Sequence, residues 1–342
     1  MLTVTIIAGG VGSRLYPLST SNNPKQFLKL TNKNHTMFQL TIKRIIKLDP
    51  NKLVVICNEN NYDLAFEQFE ELKLNIDYLF ILEPIGRNTA PAICLTTIMN
   101  PNTIMLVVPS DHIFDDECFV NSVKKGLEFT KEGITVFGIK PTYPEIGFGY
   151  IKYNGNNIEK FVEKPDIETA KKYLDDGNYA WNSGVFLFDT QIMSYELSKH
   201  CPDIYNGINK IIIENDGVNE NKFYLDKIEF SKIRDQSIDY AVMEKHEFGK
   251  IVEYSGKWSD VGSFKSLYDE LDKNVDNNVI VGDDIETINC KNCYINSDRG
   301  KVGLIGLSNL AVIKFKDTIV ISDLDKTQEI KNLKTEWNHW VK

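Results

Sequence analysis

A glycine cluster directly follows the first apolar run of the chain, in Ala8-Gly9-Gly10-Val11-Gly12-Ser13-Arg14, and a lysine stands shortly after it in Asn23-Pro24-Lys25-Gln26-Phe27. Glycines let backbone N–H groups approach a ligand closely and form an anion-binding nest. Arg offers a rigid fork of donors and Lys a compact cation, both suited to phosphate oxygens. The loop lacks the Gly-Lys-Ser/Thr ending of a P-loop and the spacing of G-x-G-x-x-G. Taken alone it is equally well a tight strand-to-helix turn. Charge shifts that balance. Residues 1–48 contain no Asp or Glu, where an even spread would put about seven, yet they hold Arg14, Lys25, Lys29, Lys33, Lys43, Arg44 and Lys47. The rest of the chain carries 32 basic and 48 acidic residues, and the whole has a net charge of -9. A local anion site in an acidic protein follows. That charge argues against nucleic acid and an anionic membrane surface as partners of the protein as a whole. Lys43, Arg44 and Lys47 fall on a helical pattern and read as its solvated face.

Further groups with chemical potential are scattered along the chain. Asp111, in Pro109-Ser110-Asp111-His112, lies just past an apolar run, and Asp260 sits in a glycine-containing loop. Brought together, two carboxylates suit one magnesium ion that takes its other ligands from substrate phosphates. Singly, each reads as a helix cap or a loop bond. His112 is a poor ligand for a hard cation and orients Asp111 or packs locally. In Glu83-Pro84-Ile85-Gly86-Arg87-Asn88-Thr89-Ala90-Pro91, Asn88 or Thr89 caps the following helix and Pro91 suits its first turn. Capping leaves Gly86-Arg87 unexplained. Glu163 and Lys164 end a strand, where neighbours point to opposite faces unless Pro165 bends the chain, and a surface ion pair is an equal reading. Cys290 and Cys293 form one C-x-x-C pair with no second pair and no nearby His, which argues against zinc. Cys57 and Cys94 lie in apolar runs and read as small buried hydrophobes.

The elements that must position these groups alternate. Short β-branched runs at Leu2–Ala8, Leu53–Cys57, Tyr78–Leu82, Thr103–Val108 and Ile134–Ile139 are spaced by helical patterns around Phe38–Lys47, Tyr62–Leu72, Ala90–Met99 and Phe119–Thr130. Such alternation implies βαβ units, a parallel sheet with helices on both faces, and ligands beyond the carboxyl ends of the strands. Residues 149–153 and 158–164 read as two strands joined by an Asn-Gly turn, an antiparallel insertion. Helical patterns follow at Ile167–Asp175, Gln191–His200 and near Tyr240–Lys245, the last given no chemistry. After about Asn274, six short strand-like pieces between Val279 and Ile321 predict a small all-β unit closed by a helix near Lys326–Lys334. The expected fold class is α/β, a mixed Rossmann-like sheet over residues 1–273, with the β unit over 274–342.

In order and over nearly the whole chain, these segments resemble the motifs of the sugar-1-phosphate nucleotidylyltransferases, and among them those of the mannose-1-phosphate guanylyltransferases. The resemblance rests on residues 8–19 with Pro24-Lys25-Gln26-Phe27-Leu28, on Glu83–Pro91, on Val108–His112 and on Phe161-Val162-Glu163-Lys164-Pro165. It continues through Trp181-Asn182-Ser183-Gly184, Ser237-Ile238-Asp239-Tyr240 and Trp258–Ser263. It implies transfer of GMP from GTP to mannose 1-phosphate, giving GDP-mannose and pyrophosphate. It assigns Arg14, Lys25, Asp111 and Asp260 to catalysis, with Mg²⁺ on Asp111 and Asp260. The nucleotide would be held by Ala8, Gly9, Gly10, Gly12, Ser13, Glu83, Gly86, Arg87, Asn88 and Thr89. The sugar phosphate would meet Gly149, Glu163, Lys164 and Asn182, the last in a loop after Trp181. Trp181 and Trp258 read as packing residues. The β unit is implied to be a short left-handed β-helix used in packing and subunit contacts, with a homo-oligomer, a dimer, as the expected assembly. Ser110 in place of a common Ala, and Ile146-Gly147-Phe148-Gly149 in place of Thr-Gly-Tyr-Gly, depart from the pattern.

The 342 residues, 42% of them hydrophobic and 25% charged, are ordinary for a folded soluble protein. The start has no basic n-region and no stretch reaches membrane-spanning length, so a reduced, cytoplasmic protein is expected. Many bacterial relatives carry a further isomerase domain of the cupin type. With the chain ending at Lys342, no mannose-6-phosphate isomerase activity is expected.

Overall fold

Val4 and Ile6, Leu53–Cys57, Phe80–Leu82 and Met105–Val108 are all closed to solvent, as strands covered by helices on both faces must be. They form the centre of a ten-stranded mixed sheet in a computed structural model that describes residues 1–10, 12–214 and 221–337. Val11 of the glycine loop lies outside the described residues. The chain divides into two compact units, the first being residues 1–9, 41–110 and 114–258.

In the first unit, strands β1 (Leu2–Ala8), β2 (Lys52–Asn58), β3 (Asp77–Glu83) and β4 (Ile104–Pro109) are parallel, with Ile6 opposite Val55 and Val108. Beyond the two-residue β5 (Ile113–Phe114) come β6 (Thr135–Ile139), β7 (Tyr150–Asn154), β8 (Asn157–Val162), β9 (Tyr179–Asp189), β10 (Lys222–Tyr224), β11 (Lys250–Tyr254) and the short β12 (Trp258–Ser259). The order across the large sheet is β10-β3-β2-β1-β4-β9-β6-β11-β8-β7. Helices α1 (Met37–Ile45), α2 (Tyr62–Glu70), α3 (Thr89–Met99), α4 (Asp116–Gly126), α5 (Ile167–Asp176), α6 (Thr190–His200), α7 (Pro202–Glu214) and α8 (Lys227–Ser231) connect these strands. One core joins Val54, Ile93, Met105, Phe186, Phe188, Ile208 and Ile251.

Three expectations need correction here. Asn182 lies within strand β9, antiparallel to β4 and β6, and not in a loop. Gly184, at φ 75°, kinks that strand, and with Asn182 it breaks the apolar run that would have announced it. The helical pattern near Tyr240 is a single π-turn, Asp239–Met243. Arg44 is not solvated: it is 5% exposed, bonded through Nε to Asp116 Oδ1 at 3.0 Å, and stacked over Phe114 and Phe119. An arginine stem packs well on aromatic rings while its fork finds a carboxylate.

The second unit gathers three separate segments, residues 10–40, 111–113 and 259–342. Its strands are β13 (Val279–Val281), β14 (Ile285–Ile288), β15 (Tyr294–Ser297), β16 (Val302–Ile305), β17 (Leu310–Phe315) and β18 (Thr318–Asp323), and its helices are α9 (Phe264–Glu270) and α10 (Ile330–Trp337). β13, β15 and β17 stack in parallel, as do β14 and β16, and β18 returns antiparallel on β17. Asn277, Asn289, Asn292 and Asn309 all have φ between 54° and 60°. Asn tolerates that left-handed conformation better than other side chains, which explains its repetition at these corners. Cys290 and Cys293 are buried in the small core of this unit, with their thiols on the carbonyls of Ile288 and Lys291.

Candidate functional site

In the second unit, Gly12 at φ 72° caps the 3-10 turn Ser13–Leu15 that carries Arg14. A Cβ on Gly12 would lie 2.4 Å from Lys25 Cβ, so only glycine lets the loop and the lysine share this space. Lys25 heads its own 3-10 turn after Pro24 and is 4% exposed. A buried ammonium requires partners. Nζ donates to Asp111 Oδ2 at 2.8 Å and to the backbone carbonyl of Asp260. Burial alone would raise the Asp111 carboxyl, but the charge of Lys25, then His112, holds it below its ordinary range.

Asp260 is set by an unusual loop. Val261 is buried with φ 47°, a costly conformation for a β-branched residue. Gly262 N–H bonds back to Asp260 Oδ1 at 3.1 Å, and Ser263 with Ser266 forms a capping box on α9. Arg14, Lys25, Asp111 and Asp260 line one cavity of about 280 Å³, together with Lys331 of α10. Arg14 and Lys331 make no ion pair among the described residues. The Lys25 ammonium already occupies a cation position among hard oxygen donors, so these residues fit a divalent ion. No cluster of three or more His, Cys, Asp or Glu surrounds it among the described residues. An ion here would draw most of its ligands from substrate phosphates and water, which is the habit of magnesium.

Apart from Gly10, which is in the second unit and borders open space, the first unit holds the remaining sequence candidates in two corners. Ala8 ends β1, and a Cβ on the exposed Gly9 would lie 3.4 Å from Glu83 Oε2. Glu83, at the carboxyl end of β3, is 6% exposed and its Oε1 has no hydrogen-bond partner among the described residues. Burial pushes its carboxyl up to about 8. Gly86 borders open space. Arg87 donates to the Ser231 carbonyl, Asn88 caps α3 through Thr89 N–H, and Thr89 Oγ1 accepts from Ile238 N–H at 2.9 Å. Asn88 has φ 63° and ψ -168°, a region nearly confined to glycine. Of this segment, Arg87 Nη2 and Thr89 brace the loop, while Glu83 Oε1 and Arg87 Nε are buried without a hydrogen bond among the described residues and the Gly86 backbone borders open space.

In the second corner, Lys164 has φ 46°, so the chain turns at the end of β8 and Lys164 Nζ folds back to 3.1 Å from Glu163 Oε1. A Cβ on Gly149 would lie 2.6 Å from Glu163 Oε2, and Gly149 O accepts Asn182 N–H at 2.8 Å. Asn182 Nδ2 donates to Asp239 Oδ1 at 3.0 Å. Burial, then the charge of Glu163, pushes Asp239 up to about 7. Gly149, Glu163, Lys164 and Asn182 are thus brought together, and sequence reasoning missed Asp239 among them. Its signal was the Ser237-Ile238-Asp239-Tyr240 segment, one of the motifs of the resemblance but given no chemistry. Phe148 packs edge-on against both Trp181 and Trp258, at 5.3 and 5.1 Å.

The nucleotidyl transferase family matches residues 3–277, and a MannoseP isomerase/GMP-like beta-helix domain matches residues 283–336. A mannose-1-phosphate guanylyltransferase of Salmonella montevideo is 39% identical, over 97% of this chain and 73% of its own length. Another from Escherichia coli is 39% identical, over 97% of this chain and 75% of its own length. Among solved structures, a mannose-1-phosphate geranyltransferase from Thermus thermophilus gives a TM-score of 0.85 at 28% identity, covering 98% of this chain and 99% of that one. The chain belongs to the mannose-1-phosphate guanylyltransferase family of nucleotidyl transferases.

Proposed function

We propose that this protein transfers GMP from GTP to α-D-mannose 1-phosphate, giving GDP-mannose and pyrophosphate. The observation that carries the reading is the buried Lys25 ammonium held between Asp111 and the Asp260 carbonyl, beside Arg14, which has no ion pair among the described residues, in one cavity. The nucleophile is a sugar-phosphate oxygen already ionised at neutral pH, so no general base or covalent enzyme intermediate is needed. The protein's work is alignment and charge neutralisation at the α-phosphorus. Arg14 and Lys25 stabilise charge on the departing pyrophosphate. The backbone around Gly9, Gly10, Gly12 and Ser13 accommodates the phosphates.

Asp111 and Asp260 would hold a magnesium ion, which when bound screens the repulsion between nucleotide and sugar phosphates. Glu83 accepts from the N1–H and amino group of guanine. Its orphaned, buried oxygen supports this role, since such an atom costs free energy until it is paired. Lys164 positions the sugar's phosphate, and Glu163, Asn182 and the Gly149 backbone meet its hydroxyls. All six cysteines are free thiols, which supports a reducing cytoplasmic setting. The test is release of pyrophosphate from GTP and mannose 1-phosphate, with and without magnesium, across a panel of nucleoside triphosphates. Preference for dTTP or UTP would overturn the base assignment, and full activity in chelator would overturn the metal.

A further inference from the structure

We propose that Lys331, on the C-terminal helix α10, is a third phosphate-binding cation of this site and holds the pyrophosphate as it departs. The inference rests on the nucleotidyl transfer reading above. Lys331 lines the same cavity as Arg14, Lys25, Asp111 and Asp260. Without it the cavity's fixed charges cancel, two cations against two carboxylates. With it they carry an excess positive charge, as a polyanion site requires.

The cations are also unequally available. Lys25 is committed to Asp111 and to the Asp260 carbonyl. Arg14 and Lys331 have no ion-pair partner among the described residues. Lys331 is not simply a loose surface lysine, because its neighbours fix the helix beneath it. Ile330 is 3% exposed and, with Leu333, packs into the same core as Leu15 and Leu18, which follow Arg14 in the chain. Helix α10 and the turn bearing Arg14 are thus held as one piece.

In the reaction, a sugar-phosphate oxygen forms a bond to the α-phosphorus. The bond from that phosphorus to the bridging oxygen breaks, and its electron pair leaves with pyrophosphate. No proton has to move. Charge therefore accumulates on the leaving group, where a point cation is most effective.

The test compares wild type with Lys331→Met, Lys331→Arg and, as a control on the exposed turn before α10, Lys326→Met. In the reverse direction, Lys331→Met should raise the KM for pyrophosphate about tenfold, leave the KM for GDP-mannose within about twofold, and be largely rescued by Lys331→Arg. Calorimetric titration with magnesium pyrophosphate should show the same weakening. Lys326→Met should behave as wild type. An unchanged pyrophosphate KM and affinity in Lys331→Met would overturn the inference. If wild type itself does not turn over GTP with mannose 1-phosphate, the reading of the reaction fails, while the titration still decides whether Lys331 binds pyrophosphate.

Discussion

The carboxylates of the candidate sites are treated in opposite ways in the two units. In the second, Asp111 faces the Lys25 ammonium at 2.8 Å and is held ionised. In the first, Glu83 is buried and Asp239 half-buried, desolvation and, at Asp239, repulsion from Glu163 outweigh any nearby cation, and both are pushed up, to about 8 and about 7. The difference fits the two kinds of recognition proposed above. Phosphates and a divalent ion call for fixed charge. A base edge and sugar hydroxyls are neutral, and a group poised between its acid and its carboxylate can serve them as donor or acceptor.

The largest break in this contrast should come from the charged side. Lys25→Ala and Asp111→Ala should each lower kcat by about 10²–10³, the scale of losing one electrostatic stabiliser. Near-normal turnover in both would remove the phosphate role. On the other side, Glu83→Gln removes the carboxylate form, the form that can accept from both guanine N–H groups at once. It should cut kcat/KM for GTP about 100-fold and reduce the preference for GTP over ATP; equal discrimination in the variant would count against Glu83.

A third measurement sharpens the comparison through pH. The folded-state value of Asp239 lies above its ordinary 3.8. From about pH 4 to 7 the native protein therefore keeps a proton that the unfolded chain has released, and stability falls as pH rises through that window. Asp239→Asn removes this loss. Denaturant melts at pH 5 and pH 8 should show a smaller drop for the variant, whereas an equal drop would place the titration elsewhere. The smallest effect should follow Lys47→Ala, which breaks an exposed pair with Asp116 worth under about 1 kcal/mol. Thermal unfolding should barely shift.

Much of this was legible from residue types alone. The strands flanking β1 are buried on both faces, so their apolar runs are continuous, and the glycine loop, Lys25 and Asp111 stand at motif positions. β9 was hidden because Asn182 and Gly184 serve polar contacts and a bulge at the expense of periodicity. Arg44 was misread because charge on a helix ordinarily faces water, whereas its aromatic bed comes from residues about 70 positions away. Nothing local marks Lys331 either, since its setting is made by tertiary contacts.

The second unit is stitched from segments far apart in the chain, and the bond from Lys25 to the Asp260 carbonyl spans 235 residues. That separation has a consequence during synthesis. At about 5–20 residues per second, a nascent chain exposes Lys25 roughly 10 to 50 s before its last partner is made. Through the first of that interval the emerging end is purely cationic, because the first acid of the chain is Asp49. Lys25 and the Asp260 carbonyl can meet only after residue 260 has been made, so this contact is withheld from every shorter nascent chain.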